Sequence, residues 1–169
     1  MLQHVVHGYR MNFGYTKLVV ADLSAEQMCQ QPHGVVNHPA WSLGHLAATS
    51  NGLCRVLGLN SDLPAGWEET FKPVEIPSAN TAAFPSKEEL LRVLEAQHAR
   101  TVKAVSEADP AAMASPFPDE RARAYFPTVG DYTVYVMIAH EWDHLGQLAA
   151  WRRAMGLGPA VVSRVGAAM

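Results

Sequence analysis

Between Leu2 and Leu23 the apolar residues Val5, Val6, Tyr9, Phe13, Tyr15, Leu18, Val19 and Leu23 recur mostly at steps of three and four, the spacing of one helix face. Ser24 and Gln27 then form a capping box, which predicts a short extra turn through Met28 before Pro32 ends it. A second helix is expected from Pro39 to Leu57. Asn37 or His38 can cap it, Pro39 suits a first turn in which a backbone N–H would go unpaired, and Gly58 comes next as a stop. Residues 58–85 carry Pro64, Pro73, Pro77 and Pro85 with no sustained period and read as a long connection. Ser86 and Glu89 form another capping box, and Leu90, Leu91, Leu94, His98, Thr101, Val102 and Val105 carry a helical stripe towards Ala108. Pro110, Pro116, Pro118 and Pro127 punctuate the next stretch, until Thr128 and Asp131 open a fourth helix from Val129 to Met155, closed by Gly156 and Gly158.

No strand alternation of useful length and no internal repeat interrupts this pattern, so the expectation is one all-α domain over residues 1–169, a four-helix bundle. A helix of some nineteen residues is about 28 Å long, and the 58–85 connection can run back along that length and leave helices 2 and 3 parallel. The stretch from 110 to 128 could serve the same purpose, and spacing alone leaves both topologies open. Arg152 and Arg153 have the sign that the helix dipole favours in a last turn.

Composition narrows the class. An apolar fraction of 49% with 17% charged residues in 169 residues is that of one globular domain. A formal net charge of −3 without a basic run argues against a nucleic-acid partner, which would demand phosphate neutralisation. No apolar run has the length of a spanning helix or of a signal peptide, and Cys29 and Cys54 form no CxxC pair, so a cytoplasmic chain without a membrane partner is expected. Eight histidines are the compositional oddity.

Two of them carry the chemistry. In His140-Glu141-Trp142-Asp143-His144 the imidazoles stand four apart, which places both on one helix face, about 40° apart around the axis. The same stripe holds Thr133, Val136, Met137, Gln147, Leu148 and Trp151, so the pair points into the bundle and suits a divalent metal better than two core hydrogen bonds. The tract also reads as H-E-x-x-H, but residues 145–169 contain no His, Asp or Glu to complete a metalloprotease set. Glu141 and Asp143 project to either side of the pair, and neither is placed as a base. The best third ligand is His45 in helix 2, whose face also carries Trp41, Thr49 and Gly52. His38, two turns earlier, suits a pocket rim, and Cys54, half a revolution away, is a poor ligand. Three nitrogens leave a position open for water, for a thiolate or for substrate.

The tract Asn37-His38-Pro39-Ala40-Trp41-Ser42-Leu43-Gly44-His45-Leu46, together with His140, His144, Gly146 and Gln147 and the order of four helices with long connections, resembles the DinB-like superfamily. The resemblance implies an up-down-down-up bundle with the crossover between helices 2 and 3, a zinc or nickel ion on His45, His140 and His144, and often a homodimer. It further implies, for some members, transfer of a low-molecular-weight thiol such as bacillithiol or mycothiol to a small electrophile. The small-molecule pocket is expected to involve His38, Trp41, Thr49, Gln147 and Trp151. A metal-dependent hydrolase of a small substrate and a non-enzymatic, metal-binding stress-response protein are the alternatives, and no catalytic base is assigned.

Overall fold

The computed structural model describes residues 2–74 and 76–160, and the regular elements among them are all helical. In chain order they are α1 (Leu2–Val20), α2 (Pro39–Val56), the short α3 (Trp67–Thr70), α4 (Lys87–Glu107), the short α5 (Pro110–Ala114), α6 (Val129–Val134), a π-helical segment (Tyr135–His140) and α7 (Glu141–Ala154). Among the described residues, extended pairing is limited to an isolated bridge between Pro116 and Thr128, just before α6.

The capping signals are used, with two adjustments. Ser24 and Gln27 bond reciprocally at 2.9 and 3.3 Å over a 3-10 turn at Gln27–Cys29, after α1 has stopped short of the expected Leu23. Thr128 and Asp131 close the full box at the start of α6. Ser86 Oγ accepts from the Glu89 N–H, whereas the Glu89 carboxylate turns to Arg92 rather than back to the cap. The cap of α2 is His38, whose Nδ1 accepts from the Trp41 N–H.

The fourth helix, expected unbroken to Met155, is divided by the π-helical turn. A π-turn carries an extra residue per turn, and its cost is normally met by contacts outside the helix. Residues 58–85, expected as an irregular connection, contain α3 and a 3-10 turn at Thr81–Ala83. Here Gly and Pro boundaries hide four- and three-residue helices too short to show a period.

Two apolar clusters occupy the two ends of the molecule. One joins Val19 and Val20 of α1 to Leu43 and Leu46 of α2, Leu90 and Leu94 of α4, and Leu145, Leu148 and Trp151 of α7. The other joins Val6 and Tyr9 to Leu53, Val105, Val129, Val136 and Met137. Residues 38–47 are buried without a break, so the first half of α2 is central and lacks an exposed face. Phe71, from the connection after α3, docks on it at Gly44, where an added Cβ would stand 2.2 Å from the ring.

Arg152 stands in the last turn of α7, as the sequence places it, and does more there than complement the helix dipole. It is buried, donates to the Val19 carbonyl at 2.7 Å and meets the Asp22 carboxylate at 2.5 Å, so it ties the end of α7 to the end of α1.

Candidate metal centre

His45 of α2 meets His140, the last residue of the π-turn, and His144, on the first turn of α7. One ring nitrogen from each lies within 4.8 Å of the others. The Nε2 atoms of His45 and His140 are 3.2 Å apart. His45 Nδ1 lies 2.9 Å from the Phe71 carbonyl, which can only accept, so Nδ1 carries the hydrogen and Nε2 presents its lone pair. The Trp41 ring stacks on His45 at 4.6 Å and 10°, fixing the imidazole plane. Gly44, one residue before His45, is what lets the Phe71 ring sit close enough to present that carbonyl.

Burial is the main force holding all three rings neutral. It pulls His45 below its ordinary value, with the Phe71 carbonyl opposing. Burial, with the neighbouring His45, brings His140 down to about 4, and Asp143 only partly opposes this. Burial together with His140 and His45 brings His144 to about 3. At neutral pH the site therefore gathers three lone pairs and no cation of its own. The Nδ1 atoms of His140 and His144 are buried without a partner among the described residues. Converging lone pairs repel unless a cation or a proton sits between them, so this donor set fits a divalent metal. Imidazole nitrogen suits several of the first-row ions.

The remaining expected site residues divide into two groups. Thr49 lines a cavity of about 250 Å³ that His45 also lines, with Ala48, Phe71, Lys72 and Pro73 on its walls. Gln147, one turn beyond His144, accepts from the Asn37 amide at 2.7 Å and donates to Asp143 at 2.9 Å. Trp41 touches the site through its stack on His45. His38 and Trp151 are placed differently. His38 is fully buried, with Nε2 2.9 Å from the Ser78 carbonyl and Nδ1 taken up at the α2 cap beside the Met28 carbonyl, so main chain occupies the ring and the expected pocket rim becomes a pin. Trp151 is fully buried and donates from Nε1 to the Gln30 carbonyl at 2.7 Å. Cys54 is buried with Sγ 3.4 Å from Thr101 Oγ1, as an inert thiol would be.

Sequence reasoning missed Phe71 as the partner of His45, because contact through a backbone carbonyl leaves no trace in residue type. It also missed where Glu141 goes. The carboxylate turns towards α4, and Oε1 lies 2.5 Å from His98 Nε2. The stripe that included His98 predicted burial but no partner.

No helix of the described residues is long and apolar enough to cross a membrane. Searches among curated proteins and among solved structures returned no match. A family model described as the DinB superfamily matches residues 10–148, a span that contains all three histidines. On that match, which covers most of its length, the chain belongs to the DinB superfamily.

Proposed function

We propose that this protein binds a divalent ion, zinc or nickel, through His45, His140 and His144 and uses it to join a low-molecular-weight thiol to a small electrophile. The observation that carries the reading is the approach of three neutral imidazoles to within 4.8 Å from two distant parts of the chain. A divalent ion on three nitrogens keeps a position for an outside ligand and holds a thiol there deprotonated at neutral pH. The chain supplies the rest. The Phe71 carbonyl and the Trp41 ring orient His45. The cavity beside His45, about 250 Å³ and walled by Ala48, Thr49, Phe71 and Pro73, has room for a small substrate body. Phe71, Lys72 and Pro73 come from the 58–85 connection, so in this reading that connection helps to cover the mouth of the site. Gln147 stands beside His144 with its amide engaged by Asn37 and Asp143, which restrains that side of the site.

The up-down-down-up bundle belongs to the same reading. It is supported by the clusters: the end of α1 and the end of α7 share one with the beginnings of α2 and α4, while the beginning of α1 and α6 share the other with the ends of α2 and α4. A cytoplasmic homodimer completes the proposal.

The test is transfer of several low-molecular-weight thiols to an aryl halide by zinc- and nickel-loaded protein, with His45→Ala as control. Turnover that disappears in the control is expected. No thiol reacting faster than in the control overturns the transferase reading, and a water-addition product would move the assignment to hydrolysis.

A further inference from the structure

The geometry points to His98 and Asn12 as positioning residues that hold the π-helical segment so that His140 faces His45. His140 ends the π-turn, and the turn is clamped on either side of it. Three residues earlier, the Met137 carbonyl accepts from the Asn12 side-chain amide at 3.1 Å, a bond supplied by α1 within the turn where helical pairing is irregular. One residue later, Glu141 is buried, with Oε1 2.5 Å from His98 Nε2 on α4. A carboxylate this far from water needs its partner, so Glu141 is committed to His98.

His98 is itself held. The Tyr9 ring lies flat against it at 3.8 Å and 6°, and the Tyr9 hydroxyl hydrogen-bonds to Ser50 Oγ at 2.7 Å. Ser50 stands on α2, the helix that carries His45. One buried polar set thus links α1, α2 and α4 to the residues that bracket His140. The helix that carries Asn12 also approaches the π-turn closely at Gly8, where an added Cβ would stand 2.9 Å from Ile138 Cδ1. A one-residue slip in this segment would turn His140 by about 100° and would break the Asn12 and His98 bonds together. The two bonds therefore specify the turn in which His140 and His144 share a target.

This inference rests on the metal reading proposed for the three histidines, and the experiment separates the two with cobalt(II) alone as the probe. Cobalt affinity, from competition with a chelator, and the visible d–d spectrum are measured beside circular dichroism for wild type, His98→Gln and the double variant His98→Leu with Glu141→Met. The double variant replaces the buried pair by apolar groups of similar size, which protects folding while removing the clamp. His98→Gln keeps an amide N–H within reach of Glu141 and is expected within about threefold of wild-type affinity. The folded double variant is expected to lose affinity by about 10–100-fold with shifted d–d bands. If it does not fold, Asn12→Ala, which leaves His98 and Glu141 intact, is read the same way and is expected to weaken cobalt binding and shift its bands. Wild-type affinity and spectrum in whichever of these chains is folded overturns the clamp. A wild-type chain that takes up no cobalt overturns the metal reading and the clamp with it.

Discussion

Gly44→Ala tests how the connection after α2 controls the site. The new Cβ would lie 2.2 to 2.3 Å from three atoms of the Phe71 ring, against about 3.5 to 4.0 Å for a relaxed carbon contact. The ring must retreat by more than about 1 Å, and it starts from full burial. Alanine gains about 1 kcal/mol over glycine in a helix interior. Expelling a buried phenylalanine forfeits about 1.5–3 kcal/mol, and overpacking costs about the same. Whichever of the two the chain takes, the net loss is about 0.5–2 kcal/mol, or a fall in Tm of roughly 1–8 °C for a domain of this size. The Phe71 carbonyl moves with its ring and leaves His45 Nδ1 without its orienting partner, which lowers metal affinity by about 10–100-fold. Gly52→Ala is the internal control. It lies on the same helix with nothing within 4 Å of the added Cβ, so it is expected to raise stability by up to about 1 kcal/mol. Thermal unfolding and zinc competition against a chelator read both effects. A Gly44→Ala protein as stable as Gly52→Ala, with wild-type zinc affinity, would refute the role given to Phe71.

Three further outcomes concern the neutral histidines and the Arg152–Asp22 pair. Unfolded, the histidines have the ordinary value of 6.5, while folded His140 and His144 stand at about 4 and about 3, so below pH 6.5 the unfolded chain binds more protons. Metal-free protein should keep its full stability above pH 6.5. Below it, each of these rings should cost about 1.4 kcal/mol for every pH unit of descent, until its folded value is reached. Denaturant melts at stepped pH read this, and a slope below pH 6.5 no steeper than that of His144→Leu would count against the three neutral rings. Arg152→Met should cost about 1–3 kcal/mol by leaving the buried Val19 carbonyl unpaired. Asp22→Ala should cost under about 1 kcal/mol, because that carboxylate is 57% exposed, and equal losses in chemical denaturation would contradict the assignment.

The helices were legible because their signals are local. Spacing placed α1, α2 and α4 to within a few residues, and Ser24, Ser86 and Thr128 marked starts that the structure uses. That the i, i+4 histidines would meet His45 in a group able to hold an ion was legible because packing alone seldom sets two imidazoles side by side on an apolar helix face. The π-turn was not, since one more residue in a turn does not disturb an apolar stripe enough to show. Nor were the roles of His38 and Trp151, because burial against a main-chain carbonyl and burial beside a pocket select the same residue types.

The sequence by itself determined an all-α chain, its helix starts and three imidazoles suited to one cation, because caps and periodicity act within a few residues of the backbone. Only the tertiary structure decided which carbonyl orients His45, where Glu141 turns and how His140 is aimed. Those depend on distances between segments that no local preference encodes: Phe71 against Gly44, His98 against Glu141 and Asn12 against Met137.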